Sequence, residues 1–208
     1  MPMEIFEHDE EDSPEDRERK WLKWRCGIPT ASEFQCLLAD SPDKKGRKSL
    51  LMRKAGERLT GEPEDTYVSK DMLRGREMED ETRLQYALLT GQELRRVPFV
   101  KNHGAGASPD SVIDPNGGAE FKSNKPSVLV GYWDKNVFPS VYVAQVQGTL
   151  WIMDDREWWD IVCCWRGVPM FVKRAYRDAA KIGEIAREVA NFNEDLEALV
   201  ERIKRFGP

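Results

Sequence analysis

One stretch constrains this chain more than any other: Ser108-Pro109-Asp110, then nine residues, then Glu120-Phe121-Lys122. It reads as a strand, a turn at Asp114-Pro115-Asn116-Gly117-Gly118, and a second strand. Proline presets φ, and Asn and Gly tolerate positive φ, so the turn has hairpin chemistry. Side chains on a strand alternate between faces. Glu120 and Lys122 therefore share a polar face, while Ala119 and Phe121, with Val112 and Ile113 behind them, point into a core. Asp110 approaches the polar face from across the turn. Two carboxylates and an ammonium converge there, a set that suits holding a hard divalent cation and steering a water at a phosphodiester. The plain alternative is a surface salt bridge across a hairpin.

The charge balance looks wrong for a partner of nucleic acid until it is divided. The formal net charge is −5 over 208 residues. Residues 1–18 hold nine carboxylates against Arg17 alone, which leaves 31 basic and 28 acidic side chains in the other 190 residues. The first segment reads as an acidic, disordered tail and the body as mildly basic. With 40% hydrophobic and 33% charged residues, the body has material for one domain with a real core. No apolar run reaches the roughly 20 residues of a membrane span, and the N-terminus is acidic, unlike a signal peptide; a cytoplasmic protein is expected. Cys26, Cys36, Cys163 and Cys164 lack Cys-x-x-Cys spacing, so reduced thiols are expected rather than an iron–sulfur cluster. His8 and His103 are too few for a zinc site.

Two further segments carry chemistry. In Trp24-Arg25-Cys26-Gly27-Ile28-Pro29-Thr30-Ala31-Ser32-Glu33, Thr30 and Glu33 have capping-box spacing, with helix continuing from Phe34 to Ala39. Ser32 falls in the first turn, where free N–H groups suit an anion, and Arg25 can close on the same anion with a bidentate fork. A capped helix beside a solvated arginine is the bland reading. The run Arg74 to Thr90 reads as a helix stopped at Gly91, with an apolar stripe of Met78, Thr82, Tyr86 and Leu89. Glu79 lies at the edge of that stripe, facing inward or paired with Arg76 or Arg83. Lys44, Lys45, Arg47, Lys48, Arg53, Lys54 and Arg58 make a basic face able to track a DNA backbone, or a solvated helix face. A helix from Tyr142 to Met153 carries Gln145 and Gln147, and two tryptophan-rich strands, Trp158–Trp165 and Met170–Arg174, follow. The stripe Ile182, Ile185, Val189, Phe192, Leu196, Leu199, Ile203 and Phe206 predicts a long amphipathic helix with a break near 191–193.

Taken in order, these segments resemble the phage lambda exonuclease family, the YqaJ-type viral recombinases of the PD-(D/E)xK nuclease superfamily. Arg25 to Glu33, Gly75 to Arg83, Ser108-Pro-Asp110 with Glu120-Phe-Lys122, and Tyr142-Val-Ala-Gln145-Val-Gln147 with Trp151 are each similar to a family motif. The resemblance runs from about Trp21 to Val172. It implies an α/β (α+β) fold with a restriction-endonuclease-like core, a central mixed sheet flanked by helices, and N- and C-terminal helices. Residues 19–208 would form a single exonuclease domain behind the tail of residues 1–18. The implied activity is Mg²⁺-dependent 5′→3′ digestion of linear double-stranded DNA, leaving a 3′ overhang for phage-type recombination.

The implied cofactor is two Mg²⁺ ions, with Mn²⁺ able to substitute, held by Asp110, Glu120, the Phe121 carbonyl and Glu79. Lys122 would orient and activate the water, Gln145 would hold Lys122 or the water, and Arg25, Ser32 and Ser108 would grip the terminal 5′-phosphate. A homotrimeric ring on DNA ends and a single-strand annealing partner, in a bacterial or phage-encoded setting, complete the expectation. Ser111 stands where the family has glycine, Ser123 where it has cysteine, and no acidic residue lies between Val97 and Ala107 to act as a further ligand. A restriction-like endonuclease of the same fold and a non-catalytic DNA-binding module remain the alternatives. No base-reading element is evident for the first, and the intact Asp110, Glu120 and Lys122 set argues against the second.

Overall fold

The acidic first residues of the chain form a strand. In the computed structural model, which describes residues 2–9, 11–38, 45–64 and 70–207, β1 (Glu4–Phe6) pairs antiparallel with β2 (Phe99–Asn102). β2 turns back into β3 (Ala105–Ala107), completing a three-stranded sheet. Phe6 is buried and stacks on Trp24, ring centroids 5.1 Å apart. The expectation that residues 1–18 are a disordered tail is therefore corrected. Several of the acids are compensated: Asp12 pairs with Lys20 at 2.6 Å, and Glu15 and Asp16 lie in the first turn of a helix. α1 (Pro14–Arg25) opens with Ser13 accepting from the Asp16 N–H at 3.1 Å, proline in the first turn, and Glu15 and Asp16 beside the positive end of the helix dipole.

A 3₁₀ helix, Ala31–Cys36, follows α1, then α2 (Gly46–Thr60) and α3 (Lys70–Thr90). The expected capping box forms, with the Glu33 carboxylate accepting from the Thr30 N–H and hydroxyl, each at 2.9 Å. The helix it starts is 3₁₀ and ends at Cys36; Ala39 lies outside the described residues. The second sheet holds β4 (Ser111–Ile113), β5 (Gly117–Ser123), β6 (Trp158–Trp165) and β7 (Val168–Tyr176) in that order. It is mixed: β5 and β6 run parallel and the outer pairs antiparallel. The crossover between the parallel strands contains α4 (Pro126–Lys135) and α5 (Val143–Ile152), and α6 (Ala179–Lys204) closes the chain.

Packing explains the register of the central hairpin. A Cβ on Gly117 would stand 2.1 Å from the Trp158 ring, and one on Gly118 would stand 2.3 Å from the Trp159 ring. Only glycine lets the two indoles close over the turn. Trp159 joins Phe34, Leu150, Phe192 and Leu196 in the main core, which lies between α5, α6 and the first sheet. α6 runs unbroken through residues 191–193: Phe192 is buried in the core, and the Asn193 amide donates to the Gly104 carbonyl at 3.1 Å. On α3, Thr82 and Tyr86 are buried but Leu89 is 68% exposed, past the end of the stripe. Cys163 and Cys164 are free thiols, as expected, with Cys164 2.7 Å from the Thr82 hydroxyl. No helix among the described residues is long and apolar enough to cross a membrane.

Candidate active site

The two sheets meet at Ser108-Pro109-Asp110, the link between β3 and β4. One open cavity of about 480 Å³ lies over this link. It gathers Arg25, Ser32 and Ser108 toward one side, Asp110, Glu120 and Lys122 in the middle, and Glu79, Tyr142 and Gln145 around them. These are the residues singled out in the sequence, now drawn from six parts of the fold. Glu120 and Lys122 share a face of β5 as alternation requires, while Ala119 and Phe121 are buried behind them.

Each charged group in the centre is held by the backbone or by a neighbour. Asp110 Oδ2 accepts the Phe121 N–H at 2.7 Å, so the aspartate docks on the strand that carries its partners. Lys122 Nζ donates to Glu120 Oε1 at 2.7 Å, and the Gln145 amide donates to the same oxygen. Gln145 thus holds the glutamate, and not the lysine, which was one of the two partners expected of it. Asp110 Oδ1 and Glu120 Oε2 take no hydrogen bond from the described residues. Burial, and then the charge of Glu120, push the Asp110 pKa well above the ordinary carboxylate value, with Lys122 pulling only partly against them. For Lys122, burial disfavours the charge, but Glu120 and Asp110 together outweigh it and raise its pKa above the usual lysine value. The lysine is an ammonium at neutral pH.

Glu79 faces the cavity from α3 and is also tied back by Arg83 at 2.5 Å, so both readings of it hold together. The sequence offered Arg83 only as a partner for Glu79; its further reach was missed. Its guanidinium also donates to the Asp110 carbonyl at 2.9 Å and to the Ser111 hydroxyl at 3.0 Å. Ser111, fully buried, donates in turn to the Asp110 carbonyl at 2.7 Å, which gives the departure from glycine at this position a structural use. Among the described residues no three carboxylate, histidine or cysteine groups close into a ligand cluster. Glu79 stands back with Arg83 while Asp110 and Glu120 lie together. That buried pair of like charges, each with one oxygen left to the cavity, is a donor set that fits a hard cation.

On the other side of the cavity, Arg25 donates to the Ser108 hydroxyl at 2.9 Å. Its guanidinium lies over the Trp21 ring, 4.3 Å from the centroid. Desolvation lowers the Arg25 pKa; the charge of Glu33 pulls against it, Arg53 adds to the lowering, and Glu57 opposes it again. No carboxylate among the described residues forms an ion pair with Arg25. Glu33 is taken by Arg53 at 2.5 Å and Glu57 by Lys54 at 3.0 Å. A shielded cation without a counter-charge is costly unless an anion arrives. Ser32 is exposed at the rim. Trp21 was also missed; its spacing of four from Arg25 on one helix face was the available signal.

The basic face expected to track a DNA backbone is largely spent within the fold. Arg47 pairs with Asp195 on α6 at 2.6 Å, Arg58 with Glu197 at 2.9 Å, and Lys54 is buried against Glu57. Arg47 thus has a partner within the fold, a surface pair in which both side chains stay partly exposed. Lys45 and Lys48 are exposed, and Lys44 lies outside the described residues.

Residues 20–156 match the profile of the YqaJ-like viral recombinase domain. None of the curated proteins compared with the chain matches it. Among solved structures, the alkaline exonuclease LHK-Exo from Laribacter hongkongensis is 29% identical with a TM-score of 0.80, over 89% of this chain and 96% of that one. The same enzyme in complex with dAMP gives 29% and 0.81 over the same shares. A phage-related exonuclease from Haemophilus somnus 129PT is 14% identical with a TM-score of 0.65, over 85% and 96% of the two chains, a likeness of fold alone. The expected restriction-endonuclease-like α/β fold holds, with its mixed sheet flanked by helices.

Proposed function

The chain belongs to the YqaJ-like viral recombinase domain family, and from that premise we propose that it is a metal-dependent 5′→3′ exonuclease acting on linear double-stranded DNA. One observation carries the reading. A seat for an anion (Arg25 and Ser108) and a cluster suited to phosphodiester hydrolysis (Asp110, Glu120, Lys122) line one cavity, with only Pro109 between Ser108 and Asp110. A nuclease that cuts internally would meet at this seat only a bridging phosphate with one charge, whereas a terminal phosphate brings the second charge that an Arg25 with no carboxylate partner among the described residues favours. The alkaline exonuclease relative supports this, and its complex with dAMP supports a seat for a nucleoside monophosphate.

Asp110, Glu120, the Phe121 carbonyl and Glu79 would hold Mg²⁺, two ions in the full site, with Mn²⁺ able to replace it. Bound there, the ion supplies charge against the developing phosphorane and acidity for a water. The chain's own groups do the rest. Lys122, held by Glu120 at 2.7 Å, would orient and activate the attacking water. Gln145 keeps Glu120 in place and so leaves its second oxygen toward the cavity. Arg83 and Ser111 fix the Asp110 backbone. Arg25, Ser108 and Ser32 take the terminal 5′-phosphate, which sets the polarity of digestion and leaves a 3′ overhang. Such an overhang is the substrate of a single-strand annealing protein, the partner class proposed here, in the cytoplasm of a bacterium or phage-infected cell. A homotrimeric ring would keep the duplex at the site.

The test compares one duplex in linear and covalently closed circular form, with Mg²⁺ and with EDTA. The linear form should lose a 5′ label first and leave its 3′-labelled strands single-stranded, in Mg²⁺ only. The circle should survive. Nicking of the circle would favour the endonuclease alternative, and no cleavage of either form would favour a non-catalytic module.

A further inference from the structure

The indole of Trp21 acts on both groups of the anion seat at once. Its Nε1–H is shared between the Ser108 hydroxyl oxygen at 3.0 Å and the Pro98 carbonyl at 3.1 Å. Its ring face carries the Arg25 guanidinium. Arg25 in turn donates to the same Ser108 oxygen at 2.9 Å. A serine hydroxyl has two lone pairs and one proton. Both lone pairs of Ser108 are thus occupied, one by an indole N–H and one by a guanidinium. Its proton must point elsewhere, and among the described residues no acceptor takes it. Ser108 lines the cavity. The open direction is the one from which a ligand arrives.

We propose that Trp21 is a positioning residue that makes Ser108 an obligate donor to the terminal phosphate. A serine free to rotate would donate or accept and so discriminate weakly between a phosphorylated and a hydroxyl end. With its acceptor sites filled it offers only a proton. A phosphate oxygen takes that proton in a charge-assisted bond, about twice as strong as the neutral bond a 5′-hydroxyl can make. The same indole holds the Arg25 fork over its face and limits the orientations the guanidinium must give up on binding. Trp21 touches no substrate; it acts through Ser108 and Arg25. The inference rests on the end-recognition reading above and adds to it the residue that sets the hydroxyl's direction.

The test is binding without turnover. Anisotropy in EDTA gives Kd for the same labelled duplex with a 5′-phosphate and with a 5′-hydroxyl, and the ratio of the two is the readout. Trp21→Phe keeps the ring under Arg25 and removes the N–H. Benzothienylalanine at position 21 keeps the bicyclic shape as well and also lacks the N–H, which covers the case in which Trp21→Phe unfolds. Either replacement should lower the wild-type preference for phosphate roughly tenfold, as should Ser108→Ala, and combining the two changes should add less than about twofold. A packing role alone would weaken both ends equally and leave the ratio unchanged, which would overturn the role of Trp21. A wild-type ratio near one would instead overturn the phosphate seat itself, and the inference with it.

Discussion

Asp110→Asn separates what the carboxylate does for the reaction from what its charge does to the fold. Its Oδ2 accepts the Phe121 N–H at 2.7 Å, and an asparagine oxygen accepts the same bond. The charge is disfavoured where it stands: burial first, then Glu120, hold the Asp110 pKa well above the ordinary 3.8. Asparagine keeps the shape and removes the charge. Without divalent cation the variant should therefore be more stable than wild type, by about 1–3 kcal/mol, the usual cost of a poorly compensated buried polar group. For a chain of this length that is several degrees, at about 2–4 °C per kcal/mol. The pH dependence has a definite sign. A carboxyl whose folded pKa lies above its unfolded value loses its proton first in the unfolded chain, so wild-type stability falls as pH rises between the two values. The margin won by asparagine should be small near the ordinary carboxylate pKa and grow toward neutrality. Urea unfolding in EDTA over a pH series measures it, beside a nuclease assay in Mg²⁺. An inactive variant that is less stable than wild type, or equally stable at every pH, would refute the account of crowded carboxylates. Wild-type turnover would remove Asp110 from the chemistry.

Two more outcomes are expected. Lys122→Ala should lower cleavage by on the order of 10²–10³ or more while still binding Mg²⁺ by calorimetry, whereas Asp110→Ala should lose the ion; near wild-type turnover of Lys122→Ala would contradict its role. A single domain of this size cannot encircle a duplex, and closed cyclic symmetry is the common outcome for like subunits. Light scattering should thus give a mass near three chains, and a clean monomer at micromolar concentration would rule out the ring.

The parts of the site that were legible in the sequence are those whose chemistry is local. The hairpin, the Thr30–Glu33 box and the Glu120/Lys122 alternation each follow from neighbouring residues and are present, though the turn is confined to Asp114–Asn116 and Gly117 and Gly118 already pair within the sheet without positive φ. What stayed hidden depends on distant partners. Arg47 and Arg58 read as a basic face until α6 supplies Asp195 and Glu197. β1 reads as an acidic tail until β2 offers an edge to pair with. Asn193 reads as a helix break until Phe192 beside it is buried in the core and Gly104 accepts from its amide. Trp21 was likewise invisible, as was the reach of Arg83 beyond Glu79, because these roles lie in which oxygens the side chains meet across the fold.

The link between the two sheets has a metric consequence. Ser108 follows the last residue of β3 and Asp110 precedes the first of β4, with a buried proline holding the chain extended between them. From one to the other is two residues, at most about 7 Å of backbone, comparable to the separation of consecutive phosphates along one DNA strand. On the proposed reading the polypeptide is a ruler. It is anchored at the terminal phosphate and marked at the next linkage, so the length of each step is written into the covalent chain, with no moving part to set it.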